Sequence, residues 1–246
     1  MEKVEILKVK IDNLDFPTAL KRVERMVQRG GKHLVVTPYS ESIVVAQNDL
    51  KFRKILNSAA LSIPDGVSLV WASRLLGKPL KERITGVDFM VALCGLSAKK
   101  GYRIFLLGGR NKVAEKTADC LKKRFLGLKI GYFEGSPDVK RETKKQLNKT
   151  IAKINSFSPD LLFVAYGPVV QEKWLAKNLK KLNVKVAMGV GGAFDYLSGR
   201  IPRPPLFLRK LGLEWFFRLL IQPWRIKRQI AILKFVRLVL REKTPF

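Results

Sequence analysis

The chain has 246 residues, with 48 Lys and Arg against 20 Asp and Glu, giving a formal net charge of +28. Its 47% hydrophobic and 9% aromatic content excludes a disordered basic tail protein, because such chains lack the apolar surface that offsets ordering entropy. Two cysteines, Cys94 and Cys120, without metal-ligand spacing, indicate neither a disulfide framework nor a zinc site and point to a reducing compartment.

The N-terminal run MEKVEILKVKIDNL alternates charged and apolar residues and carries no continuous apolar core, so it does not read as a signal peptide. No apolar run approaches the roughly 20 residues needed to cross a bilayer, which predicts a cytoplasmic protein that touches a membrane at most. Strands are predicted over Val4 to Ile11, His33 to Thr37, Leu61 to Ile63, Arg103 to Leu107, Leu128 to Tyr132, Asp160 to Tyr166 and Val184 to Val190. Between them, helices are predicted over Ala19 to Gln28, Ser42 to Asn57, Val67 to Leu76, Asp88 to Lys99, Val113 to Phe125 and Lys140 to Phe157. The alternation predicts an α/β fold with a largely parallel, Rossmann-like sheet flanked by helices over residues 1–199.

In such folds ligands bind beyond the carboxyl ends of the strands. The residues there are Thr37-Pro38-Tyr39-Ser40, Pro64-Asp65-Gly66, Gly108-Gly109-Arg110, Gly131-Tyr132-Phe133, Gly167-Pro168 and the run Gly189 to Asp195. Gly108 and Gly109, opening a helix, could present amides to a phosphate, or could serve a tight strand-to-helix turn and nothing more. The third glycine of a dinucleotide fingerprint is missing. Asp65 at a strand end, with Arg83 nearby to tune or pair with it, reads equally as a reactive carboxylate and as a turn or N-cap residue. His33 is the only histidine and no Asp-x-Asp pair occurs, so neither a histidine triad nor a divalent-metal cage is expected. A leaving group would then be stabilised by N–H donors and arginines.

From Arg200 to Phe246 the chain carries 12 basic and two acidic residues, a net +10 in 47 residues against +18 in the other 199. The stretch is also rich in large apolar residues, among them Trp215, Phe216, Phe217 and Trp224. A nucleic-acid arm is normally basic and polar; this composition suits a helix in an anionic lipid interface, where indole rings prefer to sit. A helical reading from Lys227 puts Ile232, Leu233, Val236, Val239 and Leu240 on one face and Lys227, Lys234, Arg237 and Arg241 on the other. The alternative is a C-terminal helix that packs its apolar side on the body. A basic nucleic-acid-binding α/β protein is the competing reading of the net charge, although no recognition motif for it is present.

The run from Gly189 to Arg200 (GVGGAFDYLSGR), then Arg203-Pro204, Leu213 to Arg218 (LEWFFR) and Pro223-Trp224-Arg225, resembles the WecG/TagA/CpsF glycosyltransferase family, glycosyltransferase family 26. So do Thr37-Pro38, Pro64-Asp65-Gly66, Arg83 to Asp88 (RITGVD), Phe105 to Gly109 (FLLGG) and Gln171 to Trp174 (QEKW), in family order across residues 1–240. The resemblance implies transfer of an N-acetylhexosamine, typically N-acetylmannosamine, from a UDP sugar to undecaprenyl-diphosphate-linked N-acetylglucosamine at the cytoplasmic membrane face. It implies inversion, no metal or other cofactor, and a place in teichoic acid or other surface-polysaccharide synthesis. Asp65 falls on the family's catalytic base. Thr37, Arg83 and Gln171 fall on positions for the sugars or the diphosphate, and Asp195 and the Gly189 to Gly192 loop, including Gly191, on the nucleotide side, with Tyr132 packing on uracil. Arg218, Arg225 and Arg228, with Trp215 and Trp224, fall on a basic appendage over residues 200–246 that closes over the site and meets lipid diphosphate and membrane. The resemblance also allows a homodimer that competes with membrane docking. Two positions depart from the family: Tyr39, usually Asn, and Val169-Val170, usually Pro-Lys, both expected to face the pocket.

Overall fold

A computed structural model describes residues 2–243, apart from the side chains of Lys210, Arg225, Lys227, Arg228 and Gln229. Strands β1 (Lys3–Ile6) and β2 (Val9–Asp12) form an antiparallel hairpin. Then follow α1 (Phe16–Arg29), β3 (His33–Val36), α2 (Ser40–Asn48), α3 (Leu50–Ser58), β4 (Leu61–Ser62), α4 (Val67–Leu75), α5 (Gly86–Lys100), β5 (Arg103–Gly108), α6 (Val113–Arg124) and β6 (Lys129–Phe133). The chain continues through α7 (Lys144–Phe157), β7 (Leu161–Ala165), α8 (Val170–Asn178), β8 (Val186–Gly189), α9 (Ala193–Leu197), α10 (Leu206–Lys210), α11 (Glu214–Ile221) and α12 (Ile226–Lys243).

Strands β3 to β8 form one parallel sheet in the order β4-β3-β8-β7-β5-β6, as the alternating pattern predicts. Runs such as Leu34-Val35-Val36 and Leu161 to Val164 are apolar at every position because the sheet is covered on both faces. Successive side chains point to opposite faces: Leu34, Val36, Leu162 and Val164 pack in one core cluster and Val35, Leu161 and Phe163 in the other. The first cluster takes in Phe52 of α3, Trp174 of α8 and the hairpin; the second takes in Val23 of α1, Phe89 of α5 and Leu121 of α6. The chain builds outward from β3 to β4 at one edge and from β5 to β6 at the other, and β7 and β8 later fill the centre. The order therefore reverses in mid-sheet, where a crevice opens at the carboxyl ends.

Several elements differ from the sequence expectation. The strand expected over Val4 to Ile11 is a hairpin, turned at Leu7 and Lys8, whose φ values are 49° and 64°. The helix expected over Ser42 to Asn57 is two, divided at Asp49, which leaves the helical region (φ −121°, ψ 90°) and caps α3 by accepting from Phe52 N at 2.9 Å. The helix expected from Lys140 starts at Lys144, where Thr143 and Gln146 form a capping box. On α12 the buried residues are Phe235 and Val239, in the cluster of Val36 and Val164. Leu233 and Leu240, expected on the apolar face, are 72% and 48% exposed. The alternative of a terminal helix packed on the body thus describes α12, with the buried stripe rotated toward Phe235. Among the described residues no helix is long and apolar enough to cross a membrane.

The hairpin is tied to the sheet edge by a buried acid. Asp12 Oδ1 accepts from Arg22 Nη1 at 2.7 Å and Oδ2 from the Ser62 amide of β4 at 2.8 Å, while Arg22 Nη2 reaches Ala60 O at 2.6 Å. Removing Asp12 leaves the buried Ser62 amide without its acceptor, a desolvation penalty of about 1–3 kcal/mol, and takes the carboxylate from Arg22, which is one-quarter exposed. Asp12→Ala is accordingly expected to lower the unfolding free energy by about 2 kcal/mol or more. Urea denaturation at pH 7 measures this, and a loss below about 1 kcal/mol, the level of an exposed pair, would contradict it.

Candidate active site

The carboxyl ends of β3, β4, β5, β7 and β8 open into a cavity of about 650 Å³. Its walls include Thr37 and Tyr39 after β3, Asp65 after β4, Gly108 to Arg110 after β5, Tyr166 and Gly167 after β7, and Val190 to Ala193 after β8. The appendage supplies a further wall through Gly212, Glu214, Trp215 and Arg218.

Asp65 is held by main-chain bonds on both sides: its own amide donates to Pro38 O at 3.2 Å, and Ile84 N donates to Pro64 O at 2.9 Å. It is not the N-cap of α4, a position occupied by Gly66 with no side-chain cap, so the capping half of the alternative fails. Its carboxyl faces the N-terminus of α5 at Gly86. A β-carbon on Gly86 would stand 3.3 Å from Asp65 Oδ2, so the bare glycine admits the carboxyl to the helix end. Burial pushes the Asp65 carboxyl up to about 6. The Arg83 charge and the Gly86 amide oppose the rise, and the negative charges of Glu214 and Asp88 reinforce it.

Arg83, expected to tune or pair with Asp65, does not bond to its carboxylate. Its Nε donates to Asp65 O at 2.9 Å, its Nη1 to Arg209 O at 3.3 Å, and its Nη2 to the Glu214 carboxylate. One turn along α11, Arg218 Nη2 pairs with Asp195 Oδ2 at 3.4 Å, with its guanidinium over Gly192 and 4.8 Å from the Tyr196 ring centroid. Arg200 approaches the same Asp195 at 3.8 Å. Asp88 on α5 binds Arg203 at 2.7 Å and meets Arg209 at 4.0 Å, which holds its carboxyl below the usual range against the opposing effect of burial. Acids of the body thus meet arginines of the appendage, and one appendage acid meets an arginine of the body.

Gln171 is buried and braces the glycine loop: its Oε1 accepts from Gly191 N at 3.0 Å and its Nε2 donates to Glu172 Oε1 at 2.8 Å. Burial raises the Glu172 carboxyl, whose Oε2 has no partner. Thr37 Oγ1 donates to Gly189 O at 3.3 Å, and Tyr39 OH donates to Glu41 at 2.8 Å. Gly108 sits at φ 102°, where a β-carbon would stand 2.8 Å from Ala165 O, so packing alone demands a glycine there. Among the described residues no three His, Cys, Asp or Glu side chains gather as a metal site would require.

The structure brings together Thr37, Tyr39, Asp65, Arg83, Gly108, Gly109, Gln171, Gly191, Gly192, Asp195, Trp215 and Arg218. Tyr132 stays out: on the edge strand β6 its side chain is exposed and donates to Glu115 at 3.1 Å. Val169 and Val170 also stay out of the lining, Val169 packing on the core instead. Val169 is the centre of a γ-turn, φ 67° and ψ −46°, closed by Val170 N to Pro168 O at 2.7 Å. Trp224 is 70% exposed and outside the lining, and the Arg225 and Arg228 side chains lie outside the described residues. Sequence reasoning assigned no role to Glu214, Asp88 or Arg203, although Glu214 is one of only two acids in the basic stretch.

A parallel α/β sheet whose switch point holds a carboxyl raised to about 6, in a cavity also lined by Arg83, Arg110, Arg200 and Arg218, is an arrangement suited to acid-base chemistry on an anionic ligand. Residues 4–246 match the family described as Glycosyl transferase WecG/TagA/CpsF family. The chain is 35% identical over 210 residues to a Bacillus spizizenii protein named N-acetylglucosaminyldiphosphoundecaprenol N-acetyl-beta-D-mannosaminyltransferase, covering 85% of this chain and 79% of that one. It is 31% identical over 243 residues to a Staphylococcus aureus protein of the same name, covering 98% and 93%. The chain belongs to the WecG/TagA/CpsF glycosyltransferase family, and that membership displaces the nucleic-acid-binding alternative.

The raised carboxyl of Asp65 has a consequence for stability. Between its unfolded value of 3.8 and about 6 the native state holds the proton more tightly than the unfolded chain, so Asp65 costs stability as pH rises through that window. Asp65→Asn is expected to melt at a higher temperature than the parent at pH 8, with the gain shrinking below pH 6 and gone near pH 4. Calorimetry from pH 4 to 8 measures it; a variant less stable than the parent at pH 8 would contradict a desolvated carboxylate.

Proposed function

We propose that the protein is an inverting glycosyltransferase that moves N-acetylmannosamine from a UDP sugar to undecaprenyl-diphosphate-linked N-acetylglucosamine, on the way to teichoic acid or a related surface polysaccharide. The sugar and the acceptor are those in the relatives' names. The observation that carries the reading is Asp65, an acid poised near neutrality in an arginine-walled cavity. The Asp65 carboxylate takes the proton of the acceptor hydroxyl as that oxygen bonds to the sugar's anomeric carbon. The bond from that carbon to the UDP oxygen breaks on the opposite face, which inverts the centre. Charge developing on the departing diphosphate is met by Arg218, Arg200 and Arg110, with no metal ion. Gln171 and Thr37 act by holding the glycine loop.

The protein sits on the inner face of the cell membrane through the appendage. Leu206, Phe207, Leu220, Trp224 and Leu233 form an exposed apolar set among basic residues, suited to an anionic interface. Since Phe235 and Val239 belong to the core, deleting the appendage would damage the body, and substitution of exposed residues is the cleaner test. The double variant Trp224→Glu, Leu233→Glu is expected to stay in the supernatant when the parent sediments with phosphatidylglycerol vesicles. Equal sedimentation would place the membrane contact elsewhere.

The reaction itself is tested by mass spectrometry of product formed from a panel of UDP sugars and a short-chain lipid-diphosphate N-acetylglucosamine. Asp65→Asn is expected to cut turnover by about 10²- to 10⁴-fold, the usual worth of a general base, while UDP affinity stays within about threefold. Undiminished turnover would remove Asp65 from that role.

A further inference from the structure

Arg83 stands beside Asp65 without pairing with its carboxylate. The planar fork reaches Asp65 only through its main-chain oxygen, and its other two directions are taken by Arg209 O and the Glu214 carboxylate. Two of the three partners therefore lie on the appendage. An acid gripped by a guanidinium is a poor base, since a cation within about 4–6 Å lowers a carboxyl by about 1–3 units.

We propose that Glu214 is a positioning residue for the transfer reaction: its carboxylate draws the Arg83 guanidinium across to α11 and thereby leaves Asp65 without a cationic partner. The inference rests on the reading of Asp65 as the base. The other groups facing Asp65 do not replace Glu214. Gly86 contributes a neutral amide, and Asp88 of α5 is itself engaged by Arg203 and Arg209. The Arg83–Glu214 pair is mostly sequestered, at 21% and 18% side-chain exposure, so solvent does not wash out its field. The neighbouring Arg218–Asp195 pair holds α11 independently, so neutralising Glu214 need not release the helix.

The test is Glu214→Gln, which keeps shape and an acceptor oxygen but removes the charge, with Glu214→Asp retaining the charge. Asp65 is titrated by ¹³C NMR in the ligand-free proteins, its signal assigned by loss in Asp65→Asn. The parent is expected to titrate near pH 6. Glu214→Gln should titrate lower by about half a unit or more, because Arg83 turns to the carboxylate and the direct repulsion from Glu214 is lost, and Glu214→Asp should stay near the parent. An unchanged or raised value in Glu214→Gln overturns the inference, whether or not the protein transfers sugar. In the transfer assay the acidic limb of kcat/KM should move down in parallel, with kcat about tenfold lower and donor KM within about threefold. A change in KM alone with an unmoved limb would make Glu214 a strut for α11 and overturn it equally. Absence of transfer by the parent would sink the reaction proposed above, while the carboxyl titration still decides the inference.

Discussion

The cavity is held in shape at one guanidinium. Arg83 joins the loop after β4 to the last turn of α10 and to the first turn of α11, segments that share no backbone ladder. A lysine could carry the same charge, but a point charge on a flexible stem cannot address a carbonyl, a second carbonyl and a carboxylate in fixed directions. Because the fork is engaged elsewhere, Arg83 acts on the neighbouring carboxyl by its charge alone and not by a bond, and desolvation outweighs that charge and the α5 amide together. The position of Asp65 follows from the sheet, whereas its proton affinity follows from desolvation set against the charges around it.

The large positive charge looks different once its partners are known. Arginines 200, 203, 209 and 218 of the appendage face Asp195 and Asp88 of the body. Four of the appendage's 12 basic residues are therefore engaged in its attachment, at the rim of the cavity where an anionic ligand would compete for the same guanidiniums. With two carboxylates serving four arginines the wall is partly neutralised and stays cationic, and bidentate donors can exchange a carboxylate for a phosphate of similar geometry.

The fold was legible because parallel strands buried on both faces write continuous apolar runs, and because Gly and Pro mark their ends. What escaped notice was local. Leu7 and Lys8 turn the hairpin without the Asn or Gly that signals such a turn, and Asp49 interrupts a helix by one residue while the apolar period carries on through it. Most pocket residues were legible because they follow strands, but that rule also admitted Tyr132, which an edge strand directs to solvent. The family resemblance, not that rule, put Val169 at the pocket, and a γ-turn carries it inward to the core. Glu214 could not be assigned from spacing, since its partner lies 131 residues away and nothing in either local pattern announces the pairing.

The appendage is attached by two kinds of force, and their magnitudes separate its parts. On α12, Phe235 is fully buried in the main core, and burying such a side chain is worth about 1.5–3 kcal/mol, with Val239 adding a similar amount. The segment over α10 and α11 buries no large apolar side chain among its described residues and is held by partly buried ion pairs, which salt weakens less than it would exposed ones but which no apolar contact backs. Ionic strength therefore acts on the two parts unequally: α12 keeps its apolar contacts while the hold on α11 loosens. The weaker of the two attachments is the one that carries Glu214 and Arg218, so the wall bearing the charged groups of the site is the part of the appendage least constrained by the core.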